Sequence, residues 1–135
     1  MNAWLNNMIS FEAPTELAGT IASLPANLWQ ELLPADNQYV VSIHLLTEDE
    51  MQQLNRTTRS IDKPTDVLSF PLFENIAALP EHDAPLGDLF ICLPCVDEAH
   101  LGQRECVIHG TLHLLGFDHE TEPEKWDDAR RALKE

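Results

Sequence analysis

Basic residues are scarce in this chain. Lys and Arg together number 8 against 23 Asp and Glu, which leaves a formal net charge of −15. Affinity for phosphate backbones comes mainly from such cations, so broad charge-driven binding to nucleic acid is excluded. Cysteine is sparse too, limited to Cys92, Cys95 and Cys106. An odd and small set makes no disulfide framework and agrees with a reducing compartment. No apolar run approaches the ~20 residues that cross a bilayer. Met1 to Phe11 carries no basic residue ahead of its apolar ones, so no secretory leader is expected and the cytoplasm is the expected location.

What is present is ordinary for a globular domain: 135 residues, 44 % hydrophobic and 23 % charged, long enough to bury one core across 1–135. Leu17, Ile21, Leu24, Leu28 and Leu32 form a stripe of helical period, broken by Gly19 and Pro25, so the first thirty-odd residues read as interrupted helix. Trp4 and Trp29 read as packing residues. Tyr39–Leu46 is β-rich and reads as a strand, with His44 as a surface or satisfied histidine. Thr47 and Glu50 form a capping-box signature for a helix to about Arg56. Further strands are expected in the apolar part of 63–71 and in Leu86–Leu93, with a loop over 72–85. The polar stretch Asp97–Gly102 reads as a helical turn or short helix. A helix over about Arg104–Leu115, apolar nearly all round, belongs inside the domain. Thr121 and Glu124 suggest a second capping box, opening a last helix with Trp126, Ala129 and Leu133 on one face.

Three of the 6 histidines fall within His109–His119. Residues four apart share a helix face, so His109 and His113 can address one ion. Gly116 allows the left-handed turn that ends a helix and returns His119 to the same point. Three neutral imidazoles suit zinc and leave a fourth position for water, although they also accept nickel, copper and iron. This spacing is shared with the metzincin proteases, H-E-x-x-H-x-x-G-x-x-H. Those place a glutamate base after the first histidine, where this chain has Gly110, so peptide hydrolysis is the least favoured chemistry. A second metal pattern, Cys92, Cys95, His100 and Cys106, competes with the reading of those cysteines as small core residues.

The one concentration of positive charge is Arg56, Arg59 and Lys63, with Asp62 among them. Alone, it reads equally as a solvated loop or an anion site.

The run His109-Gly110-x-Leu112-His113-Leu114-x-Gly116-Phe117-Asp118-His119 resembles the H-G-x-L-H-L-x-G-[YF]-D-H signature of the YbeY family of bacterial endoribonucleases. Asp62-Lys63-Pro64-Thr65-Asp66-Val67-Leu68-Ser69-Phe70-Pro71 and Leu86-Gly87-Asp88 extend the resemblance from about Tyr39 to His119. It implies a single α+β domain, a small mixed sheet of about four strands packed by helices around a buried metal-binding helix. It also implies one zinc ion on His109, His113 and His119, and a functional arginine at Arg59. The implied activity is cleavage of single-stranded RNA in ribosomal RNA maturation, at the 16S 3′ end, and in ribosome quality control. The implied partners are ribosomal RNA, a small-subunit ribosomal protein and the GTPase Era.

On that basis a metal held by three imidazoles lowers the pKa of its water to about 7 and provides a nucleophile where no general base is evident. Arg59 would stabilise charge on the phosphoryl oxygens, and Arg56 and Lys63 would hold the RNA backbone nearby. Asp118 would orient an imidazole or serve as a fourth ligand. The rival from another class is a ribosome assembly factor whose zinc only braces the fold.

Overall fold

The computed structural model describes residues 2–6, 9–33, 37–96 and 102–134, with the backbone alone for 2–6. Asn2–Asn6 (β1) and Ile9–Ala13 (β2) pair antiparallel, and β2 runs parallel to Tyr39–Leu45 (β3). Val67–Pro71 (β4) pairs antiparallel with Ala84–Ile91 (β5), which is inserted parallel against β3. The sheet order is therefore β1-β2-β3-β5-β4.

The α+β class and the mixed sheet agree with the sequence reading, but the sheet has five strands where about four were expected. The added strands come from residues read as helical. Ile9, Ser10, Phe11 and Ala13 are buried and Glu12 is half-exposed, so the apolar residues alternate in sequence while most of the strand is covered by its neighbours. The α-helix is confined to Ala18–Ala22 (α1), preceded by a single 3-10 turn at Thr15–Leu17, and turns then carry the chain past Pro25. The leucine stripe nonetheless faces inward: Leu17, Ile21, Leu24 and Leu28 are all buried, with Trp29 fully enclosed beside them. The side chain of Trp4 and the stretch 97–101 lie outside the described residues.

Glu48–Arg59 (α2) begins at the expected Thr47–Glu50 capping box, with both reciprocal hydrogen bonds made. It runs one turn further than expected, to Arg59. There Ser60 takes a left-handed conformation and its N–H bonds the Arg56 carbonyl. Buried Asn55 donates from its side chain to the Lys63 carbonyl at 2.9 Å, tying the loop after α2 back onto the helix. Met51 of α2 packs with Leu68 and Cys92, forming a small second core apart from the main one.

Gly102–Leu114 (α3) lies against β4 and β5. Cys106, Val107, Ile108, Gly110, Thr111, Leu112 and Leu114 are all buried, so the helix is enclosed on most sides as its composition suggested. Gly110 is the point of closest approach. A Cβ built there would stand 2.9 Å from Leu89 Cδ2 and 3.2 Å from Val67 Cγ2. Ser69 Oγ also donates to the Gly110 carbonyl at 3.1 Å, across the same contact.

Pro123–Ala132 (α4) closes the fold, with Ala129 and Leu133 in the main core. The expected Thr121–Glu124 box is not formed. The helix starts one residue later, with Glu122 at the cap position, no side-chain cap bond and Pro123 in the first turn. Asp118 has taken the Thr121 N–H instead, at 3.4 Å.

Gly116 ends α3 as expected, with φ +96°. Its N–H bonds the His113 carbonyl at 3.0 Å and the Phe117 N–H bonds the Leu112 carbonyl at 3.1 Å, the paired bonds of a Schellman turn. A Cβ at this position would stand 2.5 Å from the Glu74 carbonyl oxygen and 2.8 Å from Asn75 Cα, both backbone atoms. Gly116→Ala should therefore destabilise the protein by about 2 kcal/mol or more, since backbone strain and a backbone collision act together. Urea denaturation checks it, and an unchanged midpoint would contradict this account of the turn.

Candidate metal centre

Two of the expected ligands sit on the one side of α3 that the core does not cover. His109 and His113 are half-buried, and their Nε2 atoms approach to 3.2 Å. Past the Gly116 turn the chain comes back, and the donor nitrogens of His109, His113 and His119 all lie within 4.8 Å of one another. Tetrahedral zinc, with nitrogens at ~2.0–2.1 Å, sets ligand atoms about 3.3 Å apart, so the His109–His113 separation fits an ion of that size. Among the described residues this is the one set of histidine, cysteine or carboxylate donors that converges in this way. Cys106 does not join Cys92 and Cys95 in such a set, and His100 lies outside the described residues.

The same three histidines line a cavity of 430 Å³ together with Arg59, Asp66, Ser69, Cys106, Asp118 and Glu120. Its walls are the end of α2, strand β4, one side of α3 and the loop after it. Arg59 comes to the cavity because the helix reaches it and then stops in the Ser60 turn. It is exposed, and no ion pair engages it among the described residues. It is close enough for its charge to disfavour protonation of His113. Arg56 and Lys63 do not line the cavity. Arg56 faces Asp62 at 3.6 Å on the exposed side of α2, and Lys63 is exposed on the following loop.

Asp118 lines the cavity, but no hydrogen bond joins it to an imidazole. Its Oδ1 accepts from the N–H of Glu120 at 2.8 Å and of Thr121 at 3.4 Å, which shapes the loop carrying His119. Those backbone bonds, chiefly that from Glu120, hold its carboxyl below the usual range. Asp66 was not singled out by sequence. Its Oδ1 accepts from the Val67 N–H at 2.8 Å and its Oδ2 faces Cys106 Sγ at 3.7 Å, placing a second carboxylate on the cavity wall. His44 lies away from this site, paired with Asp88 at 2.9 Å and stacked on Phe90, as its bland reading held.

Burial pushes the His109 imidazole down to about 4, and the neighbouring His113 and His119 push in the same direction. Burial likewise lowers His113. Both rings are therefore neutral at pH 7, the form in which imidazole binds a metal.

The comparisons with known proteins agree with one another. The model of the family described as Endoribonuclease YbeY matches residues 7–131. The chain belongs to the YbeY family. It is 42 % identical over 141 residues to the Endoribonuclease YbeY of Chromohalobacter salexigens, covering 96 % of this chain and 90 % of that protein. It is 39 % identical over 105 residues to that of Halalkalibacterium halodurans, covering 67 % and 66 %. The solution structure of TM1509 from Thermotoga maritima superposes with a TM-score of 0.52 at 27 % identity, over 93 % of this chain and 86 % of that one. No described helix is long and apolar enough to cross a membrane.

The lowered histidines carry a pH dependence. The unfolded chain takes up a proton at His109 near the ordinary pKa of 6.5, whereas the folded chain resists until about 4. Below pH 6.5 the unfolded state thus binds more protons, so folding stability falls with pH through this window. In chelator-treated protein the urea midpoint should stay level above pH 7 and drop between pH 6.5 and 4. The drop should be smaller in His109→Gln, and an equal drop in both would contradict the assignment.

Proposed function

We propose that this protein is a metal-dependent endoribonuclease, with zinc held by His109, His113 and His119 and Arg59 as the residue that engages the phosphate. The observation that carries the reading is the convergence of His109, His113 and His119 on a cavity that also contains Arg59, which no ion pair engages among the described residues. The family's endoribonuclease activity and the absence of a carboxylate base at Gly110 support the same chemistry.

A zinc ion held by His109, His113 and His119 would supply Lewis acidity and a water-derived nucleophile near neutral pH. The protein's own residues do the rest. Burial keeps His109 and His113 unprotonated, so the ligands are ready without a prior proton loss. Arg59 donates paired N–H groups to the non-bridging phosphate oxygens, where negative charge grows as the phosphodiester is attacked. Among the described residues no carboxylate pairs with it, which leaves both donors for the substrate. Asp118 holds the loop that delivers His119.

The acidic surface also supports selectivity. With a net charge of −15, RNA is repelled from most of the molecule and is held where Arg59 and the metal offset that charge. A single strand suits a cavity of 430 Å³ better than a duplex. Ribosomal RNA, with maturation of the 16S 3′ end and ribosome quality control, is the substrate setting we assign. A basic small-subunit ribosomal protein and the GTPase Era are its proposed protein partners, and an acidic surface complements the former.

Metal content and cleavage of single-stranded RNA by the wild type, Arg59→Ala and His113→Ala test this. Arg59→Ala should keep its metal and lose about 100-fold or more in rate, the scale of removing one charge-stabilising donor. His113→Ala should lose both metal and cleavage. An arginine variant as fast as wild type removes Arg59 from the proposal. Proteins that stay folded, bind ribosomes and never cut RNA would favour the assembly-factor reading.

A further inference from the structure

Metal-binding histidines are ordinarily aimed by a hydrogen bond from the ring nitrogen that does not face the metal, made to a carboxylate or a carbonyl. Among the described residues the only hydrogen bond recorded for His109 or His113 is the contact between their own Nε2 atoms. His119 has Glu120 Oε1 at 3.9 Å, beyond hydrogen-bond range. Three rings that must converge to within a few tenths of an ångström thus have no hydrogen bond to a carboxylate or carbonyl among the described residues.

What they do have is an indole. The Trp126 ring centroid lies 4.8 Å from that of His109, 5.3 Å from His113 and 5.3 Å from His119. The interplanar angles are 57°, 42° and 55°, so one aromatic side chain meets all three ligands in tilted ring contact. Such separations fall within the 4.5–7 Å range of favourable aromatic pairs. Trp126 does not line the cavity that the histidines line, so it stands behind the rings and leaves the cleft side open.

The indole is itself firmly placed. It lies on α4, whose Ala129 and Leu133 are buried in the main core. Arg130 Nη1 meets Glu105 Oε1 of α3 at 2.8 Å, joining the two helices beside the site. Beyond α4 the Lys134 N–H bonds the Leu28 carbonyl at 3.1 Å. The wall behind the ligands is therefore fixed to the same body as α3.

We propose that Trp126 is a positioning residue for the metal centre, a flat wall that sets the orientation of His109, His113 and His119 in place of hydrogen bonds. The inference rests on the reading of those histidines as metal ligands. It makes shape, not bulk, the property that matters at this position. Phenylalanine keeps a flat face there, and leucine fills the space without one.

The test uses the full chain as wild type, Trp126→Phe and Trp126→Leu, with folding followed by far-ultraviolet circular dichroism. Zinc affinity is measured by competition with a chromogenic chelator, and tryptophan emission is recorded with and without zinc. Trp126→Leu should bind zinc about 10-fold or more weakly, the loss that follows removal of an outer partner of a ligand. Trp126→Phe should stay within about 3-fold of wild type on the same scale. Zinc should change the emission of the wild type, and that change should vanish in Trp126→Phe although Trp4 and Trp29 remain. Equal affinity in Trp126→Leu and wild type overturns the proposal. So does an emission change that persists in Trp126→Phe, and this second measurement decides if the leucine variant fails to fold. A wild type that takes up no zinc overturns the metal reading itself, whereas zinc binding that ignores position 126 overturns only the role of Trp126.

Discussion

The contact on which the site depends is the close approach of α3 to the sheet at Gly110. With no side chain there, the helix settles against Leu89 and Val67, and the buried residues around it leave one side uncovered. That side carries His109 and His113. A bulkier residue at 110 would lift the helix or displace Leu89, and the two imidazoles would move with it. The position that in a metzincin carries the catalytic base is here used for packing, so the loss of one chemistry and the placement of another have the same cause.

Two helix ends then complete the arrangement. At Gly116 a left-handed residue wedged against the backbone of Glu74 and Asn75 turns the chain so that His119 rejoins its partners. At Ser60 a left-handed residue stops α2 as Arg59 arrives at the same cavity. Both are local backbone events; the first returns His119 to histidines six and ten residues back, and the second sets Arg59 beside residues distant in sequence. The carboxylate of Asp118 acts in the same way, by fixing backbone N–H groups of the loop.

Such local events explain what could be read without coordinates. The convergence of the three histidines was legible because i, i+4 spacing and a glycine stop are short-range rules. The capping box at Thr47 was legible for the same reason. Arg59 was singled out by the family resemblance, since its position at the cavity depends on the strands that follow it. β1 and β2 were misread because Ile9, Phe11 and Ala13 alternate over only five residues beside a longer leucine stripe. Their strand character comes from pairing with one another and with β3. β5 begins at Ala84, before the expected Leu86, because Ala84 and Pro85 pair with Tyr39 and Val40 in the distant β3. At Thr121 two local signals competed, and Pro123 with Asp118 prevailed. Trp126 carried no spacing rule linking it to the histidines, so its ring contacts emerged only with the packing of α4 on α3.

The strand order has a consequence for how the molecule comes into being. β5 lies between β3 and β4 and is made after both, so neither has its full set of sheet partners until β5 is inserted. All three histidines follow β5 in the chain, while Arg59 precedes β4. During synthesis the arginine is exposed well before any ligand exists, and parallel pairing across a long connection is slow to form. A nascent chain of this kind carries Arg59 before any of the three histidines that share its cavity, so the site is assembled only after β5 has been made.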